Sequence, residues 1–136
     1  MGAIVLDGKA CGLEVEAEVK AKVSHLEAQG ITPHLAVVIV GDDPASHVYV
    51  GAKEKACARV GVRSTRIDLP SDANFAQVAD VVKNLNNDES VHGILVQSPL
   101  PDGMDELAIT DMIDPAKDVD GFHPVNLGRL VQGRVD

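Results

Sequence analysis

Short, strongly apolar runs alternate along this chain with longer stretches in which apolar residues recur every three or four positions. The run Leu35-Ala36-Val37-Val38-Ile39-Val40 is too short for a core helix and rich in β-branched side chains, so it predicts a strand buried on both faces. Residues 65–69 alternate apolar positions with Arg66 and Asp68, and residues 91–96 are again apolar; both predict strands. Residues 3–6 predict a short first strand. Helical spacing appears over residues 13–29, where Val15, Val19, Val23 and Leu26 share a face and Gly30 is the expected stop. It appears again in Phe75, Val78, Val82 and Leu85. Strands alternating with helices predict an α/β fold, a three-layer α/β/α arrangement around a mostly parallel sheet with right-handed crossovers. Ligands bind such sheets at the carboxyl ends of the strands, which directs attention to the loops after Val40 and Val96.

After Val40 the chain reads Gly41-Asp42-Asp43-Pro44, then a helical stretch closed by Gly61. Asp43 suits the N-cap and Pro44 the first turn, where its missing N–H costs nothing. Tyr49 and Lys53, four residues apart, lie on one face of this helix with Ser46 one turn earlier, so a phenol and an ammonium can converge and do proton chemistry. A separate stripe of Val48, Ala52, Ala56 and Val60 is expected to pack on the sheet. The second loop, Gln97-Ser98-Pro99-Leu100-Pro101, starts with a glutamine placed to orient a lysine and continues through two prolines that stiffen its path. A third segment, residues 114–128, is rich in turn formers and lacks a helical or strand period. Asp118 and Asp120 flank Val119, which looks buried, and suggest at least one inward carboxylate. Each feature alone has a plainer reading: an amphipathic helix rim, a glutamine satisfying loop backbone, turn acids in water.

Composition narrows the classes. A chain of 136 residues is one domain by length, and 45% hydrophobic with 24% charged residues is ordinary for a globular protein. Twelve basic against twenty-one acidic residues, a net charge of -9 and 2% aromatics argue against nucleic acid as a partner. No stretch reads as membrane-spanning, the start lacks a signal-peptide pattern, and Leu6 stands where a myristoylation signal needs Ser or Thr, so a cytoplasmic location is expected. Cys11 and Cys57 form no CxxC and are expected to be reduced. The five histidines show no metal-ligand spacing, so no metal is expected.

Taken together, GDDPASHVYVGAK, VHGILVQSPLP and DPAKDVDGFHPVNLGRL resemble the bifunctional methylenetetrahydrofolate dehydrogenase/methenyltetrahydrofolate cyclohydrolase family, in its order and spacing over nearly the whole chain. The resemblance implies the amino-terminal, folate-binding domain of an enzyme of one-carbon metabolism that interconverts 5,10-methylene-, 5,10-methenyl- and 10-formyl-tetrahydrofolate. It implies that Lys53 is the catalytic acid or base, that Tyr49 packs on and positions the folate, that Gln97 bonds and tunes the lysine, and that Asp120 holds the amino-pyrimidine edge of the pterin. Ser46, Val96, Ser98, Pro99 and Leu100 complete the implied substrate pocket. The implied division is a catalytic domain over residues 1–121, with 122–136 starting a linker toward an NADP-binding Rossmann domain; a homodimer is also implied.

Two departures from the family stand out. Ser98 replaces a usual leucine, which implies a looser or wetter pterin pocket. The chain ends at Asp136 with no Gly-x-Gly-x-x-Gly after a strand, so the NADP site has no seat in it and dehydrogenation is not expected from it alone. The family's carboxyl-terminal helix is absent as well, which is expected to leave an apolar patch bare. A non-catalytic folate or pterin binder is the alternative reading. A short-chain dehydrogenase, which also uses Tyr-x-x-x-Lys, fails on the missing upstream nucleotide fingerprint.

Overall fold

A computed structural model of the chain describes residues 5–134. Five helices and three strands follow in the order α1 (Gly8–Glu27), β1 (His34–Val40), α2 (Pro44–Val60), β2 (Arg63–Leu69), α3 (Phe75–Asn87), β3 (Gly93–Val96), α4 (Glu106–Met112) and α5 (Pro124–Val131). The sheet is parallel throughout, in the order β2-β1-β3. Its middle strand is the continuous apolar run, because only that position buries both faces of a strand. Val37 and Ile39 pack with Leu95 and the α2 residue Val50 on one side, while Ala36, Val38 and Val40 pack with Ile94, Val78, Val82, Leu85 and Ile109 on the other. Helices therefore cover both faces, α2 on one and α3 with α4 on the other, as the alternation predicts.

Several boundaries differ from expectation. Of the expected first strand, residues 3 and 4 lie outside the described residues, and Val5 and Leu6 are exposed without strand structure. The first helix starts at Gly8 because Asp7 caps it, its carboxylate accepting the N–H groups of Lys9 and Ala10 at 3.0 and 3.1 Å. It ends at Glu27, and Gly30, with φ 80°, turns the chain beyond it. Within α1 only Val23 is buried, while Val15 is exposed and Val19 and Leu26 are half-buried. The helix lies against α2 through Val23, whose Cγ1 sits 3.1 Å from where a Cβ on Gly61 would be, and through the Glu16–Arg59 ion pair.

The inward face of α2 is a larger correction. Val48 is 71% exposed and Ala52 is exposed; the buried positions are Ser46, Val50 and Val60, with Lys53 and Cys57 half-buried between them. That stripe has the 4-3-4-3 spacing of one helix face. Ser46 can be buried because Asp43 satisfies its polar groups, and Val50 is the one β-branched side chain that fits against Val37, Ile39 and Leu95. The core stripe thus takes in Ser46 and Lys53 of the polar stripe, while Tyr49 stays outside it.

The segment over residues 114–128 is less irregular than its composition suggests. Ile94 donates to the Lys117 carbonyl at 2.7 Å in a parallel bridge with Asp118, so the chain runs briefly beside β3. Its last third enters α5, where Pro124 occupies the first turn and the His123 ring accepts the Val125 N–H at 3.2 Å. No residue of α5 is buried, although its apolar residues are gathered on one face of the helix. Val119 is 51% exposed rather than buried, although its Cγ1 lies 2.6 Å from where a Cβ on Gly93 would stand. Only glycine fits at position 93 without a shift.

Candidate active site

The loop after β1 turns at Gly41, whose φ of 90° requires glycine and whose N–H donates to the Leu69 carbonyl at 2.9 Å. Asp43 then caps α2: one carboxylate oxygen accepts the Ser46 N–H at 2.7 Å and the Ser46 hydroxyl at 2.8 Å. These two bonds from Ser46, the backbone one first, hold the Asp43 carboxyl below the ordinary carboxylate range. The Ser46 Oγ also approaches the Ser98 carbonyl at 3.5 Å, but its single proton serves Asp43.

Two turns further, Lys53 meets the loop that leaves β3. The Gln97 N–H continues the sheet ladder by donating to the Val38 carbonyl at 2.9 Å, which fixes where its side chain starts. Lys53 Nζ donates to Gln97 Oε1 at 2.8 Å, and Gln97 Nε2 donates to the Ser98 carbonyl at 2.7 Å. The Ser98-Pro99 peptide is cis. Tyr49 is 63% exposed on the rim beside this pair, whereas Val96 is half-buried and Leu100 is buried. Ser98 and Pro99 are exposed.

The two aspartates of the third segment separate cleanly. Burial pushes the Asp118 carboxyl up, but bonds from Asn126 Nδ2 at 2.9 Å and from the His123 and Gly121 N–H groups at 2.9 and 3.0 Å outweigh it, and Asp118 lies below its ordinary range. Asp118 is therefore spent on folding the loop. Asp120 has no hydrogen-bond partner among the described residues. Although the residue retains solvent contact, the chain around its carboxyl raises the pKa; the Lys53 charge pulls it down by less, and Asp118 adds to the rise. The structure bonds Lys53 to Gln97 where β3 ends, and the parallel bridge of Asp118 with Ile94 carries the following Asp120 toward that same end of the sheet, with Tyr49 one turn before Lys53 on α2.

Sequence reasoning missed Glu106, the first residue of α4, whose two carboxylate oxygens take the Leu100 N–H at 2.6 Å and the Ser98 hydroxyl at 3.1 Å. The signal available was an acidic residue directly after the capping Asp105, which marks a helix start and not a loop contact. A cavity of about 650 Å³ lies elsewhere, between α1, α2 and the amino-terminal ends of β1 and β3. Val15, Val19, Ala56 and Val60 line it, and it lacks the convergent polar groups of a reaction site. A smaller concavity of about 340 Å³ adjoins Asp120 and includes Phe122, Arg129 and Arg134. Among the described residues no group of three or more His, Cys, Asp or Glu could hold a metal ion, and no helix is long and apolar enough to cross a membrane.

A parallel α/β domain with an amine and an amide bonded to each other where its strands end belongs to the class of open α/β sheets, whose ligand crevices lie at that edge. The catalytic-domain model of the tetrahydrofolate dehydrogenase/cyclohydrolase family matches residues 6–120, and the chain belongs to that family. The resemblance drawn from the three motifs therefore holds. The bifunctional protein FolD of Chlorobium chlorochromatii is 54% identical over 134 residues, covering 98% of this chain and 45% of that protein. That of Oceanobacillus iheyensis is 50% identical over 131 residues, covering 96% of this chain and 46% of its own length. Among solved structures, the bifunctional FolD methylenetetrahydrofolate dehydrogenase/cyclohydrolase from Campylobacter jejuni is similar with a TM-score of 0.95 at 44% identity, over 98% of this chain and 47% of that one. The Trypanosoma brucei enzyme, complexed with NADP cofactor and inhibitor, gives a TM-score of 0.89 at 37% identity, over 96% and 45% of the two chains. The chain spans about half the length of the curated relatives it matches.

Proposed function

We propose that this chain is the folate-binding, catalytic half of an enzyme that interconverts 5,10-methylene-, 5,10-methenyl- and 10-formyl-tetrahydrofolate. The observation that carries the reading is the 2.8 Å bond between Lys53 Nζ and Gln97 Oε1 at the carboxyl end of the sheet. Water adds to the amidinium-like carbon of the methenyl compound. Lys53 acts as the base that takes a proton from that water, the bond to one ring nitrogen breaks, and Lys53 returns the proton to the departing nitrogen. Asp120 suits the paired N–H donors of the pterin's amino-pyrimidine edge, because a carboxylate accepts two parallel bonds. Tyr49 supplies an aromatic face at the rim, and Ser46, Val96, Ser98, Pro99 and Leu100 form the wall.

The turn from β1 into α2 does not fit the pyrophosphate of NADP. It reads Gly41-Asp42-Asp43-Pro44, and the Asp43 carboxylate already fills the helix terminus that a phosphate would need. Hydride transfer to NADP belongs, on this reading, to residues outside 5–134. The exposure of α5 favours a division into a folate-binding unit over residues 1–121 and an outgoing linker over 122–136, although His123 and Asn126 bond back to Asp118; a homodimer rests on the resemblance, and a cytoplasmic location on the sequence pattern. A purely binding role is the second reading, favoured by the exposure of Tyr49 at 63%.

Tyr49 is the single tyrosine of a chain without tryptophan, so its emission reports on this site alone. Titration with tetrahydrofolate, corrected for absorbance by the ligand, should quench Tyr49, and Asp120→Ala should abolish the effect. Quenching that is unchanged in Asp120→Ala would place the ligand elsewhere.

A further inference from the structure

Glu106 reaches back from α4 over the loop that carries Gln97. Its Oε1 accepts the Leu100 N–H at 2.6 Å and its Oε2 the Ser98 hydroxyl at 3.1 Å, so one carboxylate clasps the residues on both sides of Pro99. Pro99 has no N–H of its own to anchor. Leu100, 9% exposed, is packed in the core cluster that includes Ile109 of α4, which makes the Leu100 end of the clasp the firm one. Glu106 is not needed as the cap of α4, because Asp105 takes the Ala108 N–H at 3.0 Å.

The clasp matters for Lys53 through one intermediate group. The Ser98 carbonyl accepts from Gln97 Nε2 at 2.7 Å, and that bond decides which end of the Gln97 amide faces the ammonium. With the amide nitrogen engaged, Oε1 is left toward Lys53 Nζ at 2.8 Å. An amide turned by half a revolution would set an NH₂ group against the ammonium, donor against donor. The Ser98 carbonyl can do this only while the backbone on either side of Pro99 is held. Ser98 offers Glu106 a second grip through its hydroxyl.

We propose that Glu106 is a positioning residue, which fixes through Ser98 and Leu100 the orientation of the Gln97 amide that Lys53 requires. Its effect on turnover rests on the reading of Lys53 as the acid–base group; the amide orientation does not.

The test compares Glu106→Ala, Glu106→Gln and Ser98→Ala in the full chain, reading the Gln97 side-chain amide proton resonances and the hydrolysis of methenyl-tetrahydrofolate. In Glu106→Ala the chemical shifts of the two Gln97 amide protons, one of them bonded to the Ser98 carbonyl in the parent, should move toward those of a solvent-exposed glutamine. Turnover should fall by roughly 10- to 100-fold with a smaller change in KM, as expected when a reacting group is misplaced. Glu106→Gln keeps an acceptor for Leu100 and a donor for Ser98, so it should restore most of both signals. Ser98→Ala, which loses only the weaker grip, should lie between it and Glu106→Ala. Unchanged Gln97 resonances in a Glu106→Ala protein that has merely lost thermal stability would overturn the proposal. Should Glu106→Ala not fold, unaltered resonances in Ser98→Ala would do the same. If Lys53→Met leaves hydrolysis intact, the reading of the lysine falls, while the Gln97 resonances still decide the role of Glu106.

Discussion

Lys53 and Gln97 are 44 positions apart in sequence, yet Lys53 Nζ and Gln97 Oε1 stand 2.8 Å apart because α2 and β3 both meet β1. The lysine reaches the pair from the sheet-facing stripe of its helix, two turns after the buried Ser46. The glutamine reaches it from the last ladder bond of β3. Neither partner is free to drift, since each is fixed by backbone that the core holds.

Removing the acceptor should therefore damage chemistry before binding. Gln97→Ala is expected to lower the rate of methenyl-tetrahydrofolate hydrolysis by about 10- to 100-fold, the scale of losing the orientation of one reacting group, with tetrahydrofolate affinity changed by far less. Steady-state kinetics beside a Tyr49 fluorescence titration separates the two.

Asp118 and Asp120 should respond to pH in opposite senses. Asp118 is depressed in the folded state, so its contribution is present above the unfolded carboxylate value of about 3.9 and is lost as pH falls through the lower folded value. Asp120 is raised, so the folded state is favoured while the group is protonated and loses that advantage as pH rises through its folded value. Asp118→Ala is expected to flatten the acid limb of a urea-unfolding stability profile. Asp120→Asn should raise the midpoint slightly at neutral pH while weakening folate binding, the trade expected of a charge kept for function. A lower neutral-pH midpoint in Asp120→Asn would contradict its assignment as an unpaired site carboxylate.

Lys117 gives a stability prediction away from the site. Its Nζ donates to the carbonyls of Leu85, Asn86 and Asp88 at 3.0, 2.9 and 2.8 Å, closing the carboxyl end of α3 with a charge of the favourable sign. Lys117→Met, which keeps the aliphatic stem, should destabilise the chain by about 1–3 kcal/mol. Chemical denaturation measures this directly.

Much of this architecture is legible in the sequence where a local rule suffices. The continuous run of β1 demands burial on both faces, and Asp43, Pro44 and Gly61 bound α2 by capping chemistry alone. The inward face of α2 was not legible, because Ser46 becomes a core residue only once Asp43 bonds it, and alanines at 52 and 56 suit either side. The separate fates of Asp118 and Asp120 depend on how the chain turns through Gly121, at φ 71°, and on Asn126 returning from α5. Glu106 was invisible for a similar reason: its partners sit in a loop whose path is set by tertiary packing.

The measurement closest to the central claim is the hydrolysis of methenyl-tetrahydrofolate, followed by loss of its near-ultraviolet absorbance, for the parent chain and for Lys53→Met. The parent should exceed the spontaneous rate, and Lys53→Met should lose roughly 10²–10⁴-fold of that enhancement or fall to background, with Tyr49→Phe losing less. A Lys53→Met chain that hydrolyses within a few-fold of the parent, or a parent no faster than the uncatalysed reaction, would contradict the assignment of this site.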